Sequence, residues 1–156
     1  MKFIKTEIEG LIIIEPKVFE DARGFFFESY NKQKYFEKGL QEEFVQDNFS
    51  MSQKNVLRGL HFQAPPFAQG KLVQVLQGAV LDVAVDIRKN SPTYGQHHSI
   101  VLSAENKKQF FVPAGFAHGF LTLEDNTLFS YKCTNVYNKS SEGAIFWDDK
   151  ELNIDW

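Results

Sequence analysis

The run Lys71–Arg88, KLVQVLQGAVLDVAVDIR, decides the fold class. In its second half Leu81, Val83, Val85 and Ile87 alternate with Asp82, Ala84, Asp86 and Arg88. A period of two places successive side chains on opposite faces of a β-sheet. Gln77-Gly78 divides the run and reads as a tight turn, with glycine supplying the permissive backbone. Outward from it, further short strand-like runs lie at Ser99–Leu102, Gln109–Val112, His118–Leu123, Leu128–Thr134 and Ala144–Trp147. Ser91-Pro92, Pro113-Ala114-Gly115 and Glu124-Asp125-Asn126 punctuate them. One stretch reads as helical: Asn31 can cap NKQKYFEKGLQEEF, where Phe36, Leu40 and Phe44 recur at helical spacing and Gly39 is the weak point. Many short strands and one minor helix predict an all-β fold, a sandwich or a barrel with the jelly roll among them. Pattern alone does not choose. A barrel lined by every second residue is a natural small-molecule pocket.

The remaining composition narrows the functional classes. At 156 residues the chain is expected to form a single domain over residues 1–156. Seventeen Lys and Arg against 20 Asp and Glu leave a net charge of -3, which gives no general attraction to nucleic acid or to an anionic membrane. An anionic ligand must therefore be held by a few placed cations. The single cysteine, Cys133, excludes an internal disulfide and suits a reducing cytoplasm; it reads as an apolar filler rather than a nucleophile. The N-terminal MKFIKTEIEGLIIIEPK has too short an apolar run for a signal segment or a membrane span. Sixteen phenylalanines point to a core rich in flat rings, the lining of a small barrel.

Two histidine segments carry the candidate chemistry. In Arg58-Gly59-Leu60-His61-Phe62-Gln63, strict alternation puts Arg58, Leu60 and Phe62 on one face and Gly59, His61 and Gln63 on the other. His61 is a core histidine or a general base, since imidazole titrates near neutrality. Lys71 opens the strongest strand, and within a pocket it would stabilise negative charge developing on an oxygen. The second segment, Pro113-Ala114-Gly115-Phe116-Ala117-His118, has the P-x-G-x-x-H pattern and resembles the second metal-binding motif of the cupin jelly rolls. Those sites usually add H-x-H and a Glu from a first motif. Here Gln63 stands where the second His would be, and no Glu lies between Ala64 and Lys71, so no metal is expected. There is no G-x-S-x-G elbow, P-loop or G-x-G-x-x-G. Two His, Lys71, Arg23, Arg58, Tyr131 and Tyr137 remain, a set suited to anion binding and proton abstraction next to a carbonyl.

Nearly end to end, the chain resembles the dTDP-4-dehydrorhamnose 3,5-epimerase family, cupin-fold epimerases of nucleotide-linked deoxysugars. The resemblance is carried in order by DARGFFFES (Asp21–Ser29), FVQDNFS (Phe44–Ser50), VLRGLHFQ (Val56–Gln63), QGKLVQV (Gln69–Val75) and GAVLDVAVDIR (Gly78–Arg88). It continues through SPTYG (Ser91–Gly95), LSAENK (Leu102–Lys107), VPAGFAHGFLTL (Val112–Leu123) and YKCTNVY (Tyr131–Tyr137). It implies a cupin jelly roll with one or two minor helices and inversion of C3 and C5 of dTDP-4-keto-6-deoxyglucose through an enolate. It implies His61 as proton acceptor, Lys71 at the enolate oxygen and Tyr131 as proton donor from the opposite face. His118 and Arg58 match residues around the sugar and diphosphate. Arg23, Glu28, Gln46, Asp47 and Asn48 match nucleotide contacts, Glu142 a further binding position, and Tyr137 a ring that stacks on thymine. The resemblance also implies no metal or organic cofactor and a homodimer in which Arg23–Glu28 serves the partner's site. Asp82, as an inward carboxylate on its strand, is expected to orient one of the two His.

One departure concerns the base. In the family the base His pairs with a carboxylate beyond an E-L-x-I-x-W motif, and that motif stands here at Glu151–Trp156, the last residues of the sequence. A further tail, a replacement carboxylate such as Asp82, or an altered extent of epimerisation are the three readings. Competing functions are a mono-epimerase, a ketoisomerase of a related nucleotide sugar, a non-catalytic sugar-nucleotide-binding cupin and, furthest off, a metal-dependent dioxygenase.

Overall fold

The protein is described by a computed structural model covering residues 1–156. Its first half contains β1 (Lys2–Lys5), β2 (Ile12–Glu15), β3 (Val18–Asp21), β4 (Gly24–Phe27), α1 (Lys32–Glu37), β5 (Gln46–Ser52), β6 (Leu57–Gln63) and β7 (Lys71–Gln77). The second half adds β8 (Ala79–Asp86), β9 (His97–Ser103), β10 (Gln109–Val112), β11 (Phe116–Thr122), β12 (Thr127–Cys133) and β13 (Glu142–Ala144). Two antiparallel sheets face each other. One runs β1-β2-β10-β7-β12-β5 and the other β13-β6-β11-β8-β9, while β3 and β4 form a separate hairpin. The crossed strand order is that of a jelly roll, in agreement with the all-β expectation. No helix is long and apolar enough to cross a membrane.

The turn at Gly78 does more than reverse the chain. β7 belongs to the six-stranded sheet and β8 to the five-stranded one, so Gly78, at φ +77, passes the chain between sheets instead of closing a hairpin. The predicted helix is shorter than its apolar spacing suggests. Asn31 caps it by accepting from the Lys34 N–H at 3.2 Å, but the helix stops at Lys38, and Gly39 takes φ +93. Its buried ring is Tyr35, with Leu40 packing from the segment after the helix.

Three apolar clusters hold the sheets. Between them lie Val73, Val75, Val80, Phe110, Phe120 and Phe129 among others, each ring contributing roughly 2–3 kcal/mol by its burial. Tyr35, Leu40, Leu72 and Phe111 pack outside the six-stranded sheet. The third cluster corrects the simplest reading of β8. Its apolar face, Leu81, Val83 and Val85, points away from the barrel and is covered by Ile145, Leu152, Ile154 and Trp156 of the C-terminal segment. The face bearing Ala84 and Asp82 turns inward. The phenylalanines are likewise not all lining: Phe19, Phe25, Phe26, Phe49 and Phe146 are exposed.

Candidate active site

One end of the barrel opens into a cavity with two lobes of about 340 and 450 Å³ that share His61, Lys71 and Tyr131. Strand parity explains most of its wall. On β7, Lys71 shares a face with the core residues Val73 and Val75; on β12, Tyr131 shares one with Phe129. On β5, Gln46, Asn48 and Ser50 line the lobes while Asp47, between them, does not.

On β6 the alternation expected from sequence fails, and the failure builds the site. His61 pairs with His118 of β11, but Arg58 pairs with Phe120, so the register shifts between them. That irregularity brings Arg58 and His61, three residues apart, to the same lobe, while Leu60 packs outside the sheet. Gly59 permits it. Its φ is +134, and a Cβ there would stand 2.5 Å from the Gly119 Cα and 2.9 Å from the His118 carbonyl oxygen.

The two His have different surroundings. His118 is buried and its Nε2 meets the Asp82 carboxylate at 2.8 and 3.0 Å. The inward carboxylate of β8 thus faces His118 and leaves His61 without it. Burial, helped by the positive charge of Lys71, holds the His61 pKa below the ordinary imidazole value, which favours the neutral, basic form. Burial also lowers Lys71, so its ammonium is destabilised where it stands and gains when an anion forms beside it. The Lys71 nitrogen lies 5.9 Å from the centre of the Tyr131 ring. Burial raises the Tyr131 pKa, keeping its phenol protonated at neutral pH. Cys133, buried and accepting from Asn48 Nδ2 at 3.5 Å, is raised as well and stays a thiol.

At the outer lobe the Tyr137 hydroxyl donates to Glu142 at 3.0 Å, and Gln46, Asn48, Gln63 and Gln69 complete the wall. Arg58 Nε donates to Ser52 Oγ at 3.1 Å. Three residues expected at the site stand elsewhere in this chain. Asp47 points to the other face of β5 and pairs with Lys132 at 2.8 Å, because odd and even positions of a strand part company. Arg23 sits on the β3–β4 hairpin and pairs with Asp21 at 2.6 Å, and Glu28 pairs with Lys34 at 2.8 Å. Ser50 was not expected. Its hydroxyl is buried without a hydrogen-bond partner in the lobe of Arg58 and His118, and its alternation with Gln46 and Asn48 was the signal available. Where cupin metal sites would place a second His, the Gln63 amide instead bonds to three backbone groups.

The chain matches known proteins over its whole length. A family profile described as dTDP-4-dehydrorhamnose 3,5-epimerase covers residues 5–156. The enzyme of that name from Salmonella typhimurium is 59% identical over 157 residues, an overlap taking in 100% of this chain and 86% of the relative. The crystal structure of dTDP-4-dehydrorhamnose 3,5-epimerase from Elizabethkingia anophelis is 56% identical with a TM-score of 0.95, covering 100% of this chain and 86% of that one. That of a dTDP-6-deoxy-D-glucose-3,5-epimerase from Legionella pneumophila, in complex with dTDP-4-keto-L-rhamnose, is 55% identical with a TM-score of 0.96 over 99% of this chain and 82% of that one. The chain belongs to the dTDP-4-dehydrorhamnose 3,5-epimerase family.

Proposed function

We propose that this protein inverts C3 and C5 of dTDP-4-keto-6-deoxyglucose by proton abstraction and return from the opposite face. The observation that carries the reading is that His61, on the five-stranded sheet, and Tyr131 and Lys71, on the six-stranded sheet, border one cavity. The relative from Legionella pneumophila, bound to dTDP-4-keto-L-rhamnose, supports the substrate class.

In this scheme neutral His61 takes the proton from a carbon flanking the C4 ketone. The C–H electrons pass into an enolate whose oxygen faces the Lys71 ammonium. That interaction is stronger in the transition state than in the ground state, as acceleration requires. Tyr131 gives its phenolic proton to the other face of the same carbon, inverting it; solvent then returns a proton to Tyr131 and removes one from His61. Arg58 and His118 hold the sugar and diphosphate, with Asp82 fixing the His118 ring. Gln46, Asn48, Tyr137 and Glu142 form the nucleotide end.

We further propose a cytoplasmic homodimer in which the β3–β4 hairpin reaches the partner's cavity. Phe19, Phe25 and Phe26 are exposed on that hairpin, and Arg23 and Glu28 stand away from the cavity of their own chain.

The experiment is incubation in heavy water with dTDP-4-keto-6-deoxyglucose, followed by proton NMR. Deuterium at both C3 and C5 with inverted products is expected; deuterium at one carbon alone makes the protein a mono-epimerase. Tyr131→Phe retains exchange but loses inversion, and His61→Ala loses both. Persistent exchange in His61→Ala assigns the base elsewhere.

A further inference from the structure

The segment between β12 and β13 crosses from one sheet to the other and carries Tyr137, yet its own backbone makes no regular pairing. Three glutamines hold it. Gln69 Nε2 donates to the Asn135 carbonyl at 2.7 Å, and the Tyr137 N–H donates to Gln46 Oε1 at 3.0 Å. Gln63 straddles the tyrosine. Its Nε2 donates to the Val136 carbonyl at 3.1 Å, and its Oε1 accepts from the Asn138 N–H at 2.8 Å. The same Nε2 donates to the Phe67 carbonyl at 2.7 Å, tying in the loop before β7. Four consecutive residues therefore have a backbone group fixed by a side-chain amide, and Gln63 supplies two of those bonds.

Only an amide fits this place, because one end must donate to carbonyls while the other accepts from an N–H. Gln63 is 8% exposed, so the partners it leaves would not be replaced freely by water. Its backbone is also in register with Glu142, the acceptor of the Tyr137 hydroxyl. Between them, the Asn138 side chain caps the short 3-10 turn Lys139–Ser141, accepting from the Ser141 N–H at 3.2 Å. One residue thus sets both ends of the Tyr137–Glu142 pair.

We propose that Gln63 is a positioning residue for nucleotide binding, placing the Tyr137 ring through the backbone on either side of it. The inference rests on the reading of Tyr137 as a nucleotide contact. In the outer lobe Gln63 itself offers the ligand little, since its amide is engaged with the protein.

The test uses Gln63→Met, which keeps the shape without the hydrogen bonds, and Gln63→Glu, which keeps the acceptor and loses the donor. Full-length variants are titrated with dTDP, assayed for epimerisation and followed by amide hydrogen exchange at Tyr137 and Asn138. Both variants are expected to weaken dTDP and raise KM roughly tenfold, the scale of one or two lost hydrogen bonds, while kcat falls less than about threefold. Exchange at Asn138 quickens in Gln63→Met, which loses the acceptor of its N–H, and not in Gln63→Glu, which keeps it. In a Tyr137→Ala background, Gln63→Met adds little further loss of dTDP affinity. Unchanged exchange in Gln63→Met, a kcat loss matching the KM rise, or additive losses with Tyr137→Ala would overturn the proposal. If Tyr137→Ala alone leaves dTDP affinity intact, the nucleotide reading of Tyr137 fails and the proposal with it. If Tyr137→Ala weakens dTDP and Gln63→Met does not, that reading stands and the proposal alone falls.

Discussion

His61 and His118 are register partners of the same residue type, and their neighbours make them different. His118 meets a carboxylate at 2.8 Å; His61 meets burial and the positive charge of Lys71, both of which oppose protonation. A lowered pKa means that the imidazole stays neutral, and able to act as base, to lower pH than an ordinary histidine. The acid limb of kcat/KM is therefore expected below the ordinary value of 6.5, with activity lost as pH falls through it. In Lys71→Met, residual activity should show that limb displaced upward. A limb at or above 6.5 in the native enzyme, or one unmoved by the substitution, contradicts the assignment. At this scale the sequence was informative where a residue's type announced a candidate chemistry, as with His61, Lys71 and Tyr131, which the structure gathers at one cavity. It read Gln63 only as the residue standing in place of a second His and did not single out Ser50, because the part an amide or a hydroxyl plays depends on what surrounds it.

Strands explain both the successes and the misses. Period two was clear in β8, and the turn at Gly78 stood out because a positive φ favours glycine. Which face looks inward was not readable. An apolar face covered by the C-terminal segment and an apolar face covered by the opposite sheet give the same alternation. Asp47 shows the same difficulty in reverse: it lies within the QDN run, but one step of parity turns it away from its neighbours and toward Lys132. On β6 the register shift overrides alternation, and Gly59 is the residue on which the shift depends. Gly59→Ala forces a side chain into φ +134 and against the Gly119 backbone. It is expected to cost roughly 2 kcal/mol or more, lowering Tm by about 5 °C in thermal denaturation, and to reduce activity by moving Arg58 relative to His61. An alanine variant with native Tm would mean that the strand tolerates the added carbon and that the shift does not depend on glycine.

The molecule as a whole keeps a hairpin with exposed Phe25 and Phe26 away from its own cavity, and this sets up a test of the proposed dimer. Arg23→Ala removes the hairpin cation and His61→Ala the base. If the hairpin serves the partner's cavity, mixing the two inactive proteins under subunit exchange regenerates one intact site in each mixed dimer. Activity should therefore return, to about a quarter of the native level at random pairing. No recovery in mixed dimers, with their formation checked by mass spectrometry, would place the hairpin at its own site or none. The all-β class and the pocket were readable from periodicity and punctuation. The swap of segments between copies was suggested by resemblance alone, since no local pattern distinguishes a hairpin that packs from one that reaches.

Because His61 and Tyr131 hang from facing sheets, the gap between the proposed base and the proposed acid is set by a ruler neither residue controls. Sheets packed face to face stand about 10 Å apart, a gap maintained by the bulk of the side chains between them. Here those spacers include Phe110, Phe120, Phe129 and Val75. In the proposed scheme the thickness of the apolar core is thus also the calibration of the chemistry, and side chains outside the cavity, such as Phe110 and Val75, help decide whether both faces of the sugar can be reached at once.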